Sequence, residues 1–275
     1  MSLNKIRVQK YINQIAKRGF AIIPNVISKI ECEKYKVLLE KNYKKYSHKY
    51  ANVPKNGSLA DKSKEKVVYN LHNKNLSWFK LFLNKSVIKI LDNFLKKGSY
   101  LNDEPYYLNN ISARCPLNGN KGQPIHLDSN LPGVNYTIVM NVIWYFDDVN
   151  LENGSTIVVP GSHKFKNYAD NTKKIKGKFC IKAKKGSVLI FNANLWHAGS
   201  PKNNNISRWA LVLGYARWFV KPSFDYMKNT PKKIYSKLNK KQKLILGFNT
   251  VPPKDEFTRI TRRSNYFEKP EKYIF

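Results

Sequence analysis

Apolar residues recur along the chain with two different periods, and the change of period divides it. Cys32, Tyr35, Leu39, Tyr43 and Tyr46 follow one another at steps of three and four, the spacing of one helix face. Ser28 and Glu31, just before them, have the spacing of a capping box. A helix is predicted there, with this face serving as core packing. Residues 50 to 66, with Pro54, Asn56, Gly57 and many lysines, predict a loop, and Leu76 to Leu95 a helical region broken near Asn84. From Tyr106 to Val220 the pattern shortens to β-branched and aromatic runs separated by Gly, Pro, Asn and Asp, which predicts the strands of a sandwich or barrel. Beyond Lys221 helical spacing returns, and Leu244 to Phe248 ahead of Pro252 and Pro253 predicts a helix end and turn.

A chain of 275 residues can bury one sizeable core. One elaborated domain over 1–275 is therefore expected, with a helix-and-strand flank at 1–104, a β core at 105–220 and a helical extension at 221–275. No run approaches the roughly 18 consecutive apolar residues of a membrane span, and no charged, apolar, small-residue signal pattern opens the chain. A cytoplasmic protein without a membrane partner is expected. Cys32, Cys115 and Cys180 are odd in number and scattered, so they read as reduced small hydrophobes rather than a disulfide framework or zinc site.

Fifty basic against eighteen acidic residues give a net charge of +32, with lysines dense at 232 to 243 and Arg259, Arg262 and Arg263 further on. Such a field attracts polyanions. The basic residues are nevertheless spread along the whole chain, no recognised nucleic-acid motif accompanies them, and Lys, Asn and Ile are abundant together, as in a biased coding genome. Nucleic acid is not the expected partner. A generic lysine-rich surface and a preference for an anionic small substrate both stay open, as does the oligomeric state.

The candidate chemistry is His126-Leu127-Asp128, followed by His197 and Arg208. Alternate residues of an extended segment point the same way, so His126 and Asp128 can reach one metal while Leu127 faces away. Two imidazoles and one carboxylate are the facial ligand set of non-haem Fe(II), which leaves three positions for a bidentate oxo-acid and dioxygen. The third ligand must come from another strand, and His197 lies beyond Gly186 to Phe191 in a segment read as continuing through Trp196. Arg208 opens the apolar run Trp209 to Tyr215, and a guanidinium at the start of a buried strand needs an anion, for which its planar fork suits a carboxylate.

The surrounding residues resemble the phytanoyl-CoA dioxygenase family of Fe(II)/2-oxoglutarate enzymes over roughly residues 10 to 265. Asn118 to Asp128 is similar to the family's glycine-containing approach to its His-x-Asp, Glu152 to Lys164 resembles its "ENG…PGSHK" block, and Arg18 to Pro24 its opening strand. The resemblance implies a mainly β fold with flanking helices, a double-stranded β-helix or jelly roll. It implies that His126, Asp128 and His197 bind Fe(II), that Arg208 binds the distal carboxylate of 2-oxoglutarate, and that Trp144 is an aromatic beside that cosubstrate. Leu127 stands where many relatives have Gln, and Gly199 where some supply a hydroxyl, which Ser200 next door would replace. Dioxygen is the second cosubstrate; the implied products are succinate, carbon dioxide and a hydroxylated small polar or anionic metabolite. The retained Asp128 argues against halogenation. Desaturation, cyclisation or epimerisation by the same site, or a non-catalytic polyanion-binding protein on this scaffold, are the alternatives.

His163, in a Pro-Gly-Ser turn, reads as structural or substrate-side rather than a fourth ligand, and His48 and His72 as surface or loop residues. Asp147 and Asp148 end a strand, and Trp196 reads as core. Specificity is expected in segments 47–75, 129–135, 165–176 and 221–235, where Tyr46, Tyr50, Tyr168 and Tyr226 stand among or beside lysines and asparagines.

Overall fold

The capping box forms as its spacing predicts. The Ser28 hydroxyl accepts from the Glu31 N–H at 3.2 Å, and the Glu31 carboxylate accepts from the Ser28 N–H at 3.0 Å. These bonds satisfy donors that the first turn of a helix leaves open, and they start α2 (Lys29–Tyr46), which buries Cys32, Tyr35 and Leu39. The computed structural model describes residues 5–47, 64–99, 105–129 and 131–248. His48, Tyr50, most of the 50–66 segment, Pro252, Pro253, Arg259, Arg262 and Arg263 lie outside the described residues.

Helix α1 (Lys5–Arg18) and strand β1 (Phe20–Ile23) precede α2, and β2 (Glu65–Tyr69) follows it. The helical region broken near Asn84 resolves into a 3₁₀ turn at Leu76–Trp78, α3 (Phe79–Phe82), α4 (Lys85–Leu91) and a π turn at Asp92–Lys96. Asn84 ends one segment and caps the next, its side chain accepting from the Ser86 and Val87 N–H groups. Then come β3 (Tyr106–Pro116), β4 (Val139–Tyr145), β5 (Thr156–Val158), β6 (Phe179–Cys180), β7 (Val188–Asn192), β8 (His197–Gly199) and β9 (Ala210–Arg217). Short helices α5 (Tyr226–Asn229), α6 (Lys232–Tyr235) and α7 (Lys240–Ile245) close the described chain.

A six-stranded antiparallel sheet, ordered β1-β7-β4-β9-β3-β2, is joined by a three-stranded one, β6-β5-β8. This is the mainly β, helix-flanked jelly roll expected. Strand alternation gives the large sheet two faces with different tasks. On β4 and β9 the residues Met140, Val142, Trp144, Leu211 and Leu213 pack outward in one core with Ile12, Leu39, Ile90, Tyr235 and Phe248 of the helices and their flanks. Ile143, Tyr145, Leu189 and Phe191 point inward and meet Val158 of the small sheet. No helix among the described residues is long and apolar enough to cross a membrane.

His72 departs from its expected surface or loop setting. It occupies a 3₁₀ turn, Leu71–Asn73, but is fully buried, its ring set edge-on to Tyr226 with centroids 4.9 Å apart, and neither ring nitrogen has a partner among the described residues. Burial, with a smaller push from Lys74, drives its pKa from 6.5 down to about 3. The unfolded chain therefore binds this proton more readily, so stability held above pH 6.5 drains away as pH falls toward 3. Between neutral pH and about pH 5 this one group is expected to cost about 2 kcal/mol. Thermal melting across that interval should show it as a steeper loss in the native protein than in His72→Phe; parallel curves would rule the effect out.

Candidate active site

The two histidines and the aspartate come together through backbone pairing. His126 and His197 form an isolated antiparallel bridge, each N–H donating to the other's carbonyl at 2.9 and 2.8 Å, and the Asp128 N–H donates to the Ala193 carbonyl at 2.8 Å. The approach to His126 requires Gly122: its φ is +76°, and a Cβ there would lie 2.5 Å from the Gly199 carbonyl oxygen. His197 is not a continuation of β7. The chain turns after Asn192, with Leu195 N–H donating to the Asn192 carbonyl at 2.8 Å, and His197 opens β8 in the other sheet.

Each imidazole has its Nδ1 within hydrogen-bond distance of a nearby carbonyl, Pro124 at 3.0 Å for His126 and Leu195 at 2.9 Å for His197. Donation from Nδ1 to those carbonyls leaves each Nε2 lone pair for a metal. The Nε2 atoms stand 3.5 and 3.3 Å from the Asp128 oxygens, and the three ligand atoms lie within 4.8 Å of one another. Asn141 donates from Nδ2 to Asp128 Oδ2 at 2.7 Å, fixing the carboxylate. Burial alone would raise the Asp128 carboxyl, but the His126 and His197 imidazoles outweigh it and hold it well below the usual carboxylate range. The His126 imidazole is raised, chiefly by Asp128. This donor set fits Fe(II): two neutral nitrogens, one anionic oxygen and an open side.

The open side faces a cavity of about 1030 Å³. Arg208 lies in its wall, buried, with its Nε lacking any partner and no carboxylate in ion-pairing distance among the described residues. Burial pushes this guanidinium below its usual range, with Tyr145, Cys115 and Glu65 partly countering it. Asp147 pins the backbone on both sides of it, accepting from Ser207 Oγ at 3.1 Å and Trp209 N–H at 2.9 Å, and pairs with Lys36 at 2.6 Å. A positioned, unpaired cation some way from a metal site is what a dicarboxylate needs at its far end.

Trp144 does not take the expected place beside a cosubstrate. Its inward neighbours on β4 are Asn141, Ile143 and Tyr145, whereas Trp144 is fully buried on the helix side of the sheet. Ser200 does line the cavity, but its hydroxyl donates to the Leu151 carbonyl at 3.1 Å. His163 lies away from the ligands, its Nε2 3.3 Å from the Ala16 carbonyl. Trp196 packs with Ile125, Leu127 and Val159, as expected of core. Among the described residues of the specificity segments, those of 47–75 and 221–235 contribute to the wall and those of 129–135 and 165–176 do not.

Several contributing residues escaped the sequence reading. Asn171 holds the Ile125 backbone through both its N–H and its carbonyl, at 2.9 and 2.8 Å, and so steadies His126. Glu65 and Arg114 form an ion pair at 3.3 Å in the wall; burial raises the Glu65 carboxyl, with Arg114 and Arg208 pulling the other way. Tyr46, which continues the core face of α2 and also stands beside the 47–75 segment expected to carry specificity, lies in the wall. A visible signal existed only for Asn141, the one polar residue in Val139–Tyr145.

The family model for phytanoyl-CoA dioxygenase (PhyH) matches residues 15–210. The uncharacterized protein Rv1501 of Mycobacterium tuberculosis is 24% identical over 141 residues, 51% of this chain and 49% of that protein. The dioxygenase af480 of Aspergillus fumigatus is 26% identical over 152 residues, 52% of this chain and 48% of its own. The chain thus spans about half the length of the curated relatives it matches. Among solved structures, HygX from Streptomyces hygroscopicus, with nickel, 2-oxoglutarate and hygromycin B bound, superposes with a TM-score of 0.62 at 16% identity, covering 80% of this chain and 90% of that one. The α-ketoglutarate-dependent epimerase SnoN from nogalamycin biosynthesis gives 0.59 at 12%, covering 83% and 91%. The carbocyclase SnoK from the same biosynthesis gives 0.59 at 17%, covering 78% and 84%. These likenesses establish the fold, and the match over 15–210 the kinship: the chain belongs to the phytanoyl-CoA dioxygenase family of Fe(II)/2-oxoglutarate-dependent oxygenases.

Proposed function

We propose that this protein is a mononuclear Fe(II)/2-oxoglutarate-dependent dioxygenase that hydroxylates a small polar metabolite. The observation that carries this reading is the convergence of His126 Nε2, Asp128 and His197 Nε2 on one side of a cavity whose wall holds the unpaired Arg208 guanidinium. His126, Asp128 and His197 hold the metal, with Asn141 and the Pro124 and Leu195 carbonyls fixing their orientation. Arg208 takes the distal carboxylate of 2-oxoglutarate, so that the keto acid's other end reaches the metal. Ile143, Phe191 and Val212 line the cavity between with apolar surface, which keeps water from the reacting atoms. When bound, iron with the keto acid supplies the oxidising power: dioxygen, 2-oxoglutarate and a substrate C–H become succinate, carbon dioxide and a C–OH.

Purified protein given Fe(II) is expected to convert 2-oxoglutarate to succinate, to stop on chelation and to resume when Fe(II) is returned. Succinate formation indifferent to chelation would overturn the assignment. With substrate present and isotopically labelled dioxygen supplied, one labelled oxygen should enter succinate and the other the product alcohol. The names of the epimerase and carbocyclase that share this fold mark the competing outcome, a substrate inverted at a stereocentre or closed into a ring with no labelled oxygen in the product.

A further inference from the structure

Resting on the oxygenase reading, we infer that the substrate is a neutral, hydroxyl-rich molecule, a polyol or the sugar ring of a glycoside, recognised by a band of amide side chains beside the metal ligands. Asn110 on β3 pairs with Gly214 on β9, and Gly214 with Asn141 on β4, the residue bonded to Asp128. Asn110 therefore sits two strand spacings from Asn141, about 10 Å along one row of the sheet. Gly214 between them lets the two amides approach: a Cβ there would stand 3.3 Å from Asn110 Cβ and 3.4 Å from Asn141 Oδ1 and would crowd both. A substrate group held by Asn110, which lines the cavity, is therefore close to the residue that orients Asp128.

The cavity wall is rich in amides with unused capacity. Asn110 lines it, as does Asn70, held at a left-handed φ of 53°; among the described residues neither amide has a partner. Gln123 accepts a bond from Gly199 N–H and Asn229 accepts one from Asn73, which leaves both NH₂ groups unengaged among the described residues. An amide offers a donor and an acceptor side by side, the match for a hydroxyl, which also does both. Tyr69, Phe224 and Tyr226 add aromatic surface on the same wall, suited to the apolar C–H face of a ring.

Charge speaks against an ionic substrate despite the chain's +32. Among the described residues the fixed charges of the wall are Glu65, Lys74, Arg114, Asp128 and Arg208. Arg114 faces Glu65 at 3.3 Å, and Lys74 gives its ammonium to the Tyr69 carbonyl at 2.6 Å while lying over the Tyr46 ring. Asp128 offsets one charge of a divalent metal; the other, with Arg208, matches the two carboxylates of 2-oxoglutarate. Once metal and cosubstrate are in place the charge left over among the described wall residues is that of Lys74, already held by the Tyr69 carbonyl and the Tyr46 ring, so a cationic substrate would meet like charge and an anionic one would have to draw Lys74 from those contacts.

The test is calorimetric titration of the protein loaded with Ni(II) and 2-oxoglutarate, using methyl hexosides and inositols, the matching hexuronates and hexose phosphates, and the matching amino sugars. At least one neutral compound is expected to bind about tenfold or more tightly than its charged counterparts, with glycosides and inositols telling a sugar ring from a free cyclitol. Asn110→Leu should weaken that binding about tenfold through its lost hydrogen bonds, and Asn110→Asp should turn the preference toward the amino sugar. Charged compounds binding as well as neutral ones, or no member binding, would overturn the inference. Substrate-independent succinate formation with Fe(II) is read separately: if it persists while the panel is silent, only the substrate class fails, and if it is absent the oxygenase reading fails.

Discussion

Asp128→Ala is expected to lower succinate formation from 2-oxoglutarate by about 1,000-fold or more, since it removes a metal ligand rather than a supporting contact. Asp128 is the only anionic member of the set and the meeting point of three side chains: both imidazole Nε2 atoms lie within 3.5 Å of its oxygens and Asn141 donates to it. The substitution leaves two neutral nitrogens, which bind Fe(II) weakly, and orphans the Asn141 amide. Asn141→Leu supplies the graded comparison, because it keeps all three ligands and loses only the bond that orients one. It should cost about 10- to 100-fold in metal affinity. Affinity for Ni(II), read by titration, and succinate yield should therefore fall in the order native, Asn141→Leu, Asp128→Ala. Native-like turnover in Asp128→Ala would refute the ligand assignment, and an Asn141 variant as damaged as the Asp128 one would make Asn141 more than a positioning residue.

The strands and ligands were legible because they obey short-range rules. A His-x-Asp pair needs only strand alternation to share a metal, and the β-branched runs between Tyr106 and Val220 announce themselves. What stayed hidden depends on which way a fully buried strand faces. All seven residues of Val139–Tyr145 are buried, so hydropathy does not reveal parity, and Trp144 was placed on the wrong face. Asn141 held the answer: a lone amide in such a strand marks the face where polarity has a partner. His197 was read into β7 because Ala193, Leu195 and Trp196 prolong the apolar run, whereas the turn there is made by Asn192, whose carbonyl and side chain accept from Leu195 and Asn194. Tyr46 keeps the helical period of Cys32 and Leu39, yet α2 outruns the core and delivers its last aromatic to the cavity wall. Glu65 and Arg114 are far apart in sequence and meet only through the register of β2 with β3.

Arg208→Met is expected to separate function from stability in opposite directions. The guanidinium is buried without an ion-pair partner among the described residues, and its Nε is unsatisfied, so the fold pays the desolvation of a cation and recovers little of it. Methionine has similar length and no charge to solvate, and the backbone at this point is held by Asp147 through Ser207 and Trp209, not by the arginine side chain. Without 2-oxoglutarate the variant should therefore melt at the native temperature or above it. Its affinity for 2-oxoglutarate should fall about 100-fold, the worth of a charge-assisted pair of roughly 2 to 3 kcal/mol. Saturating 2-oxoglutarate with Ni(II) should raise the melting temperature of the native protein, as any ligand bound only by the folded state does, and raise that of the variant far less. Arg208→Lys should restore only part of the loss, because a point charge cannot reproduce the planar fork. A variant that melts several degrees lower while binding 2-oxoglutarate normally would show that Arg208 is a structural cation, and the anion site would have to be sought at Arg114.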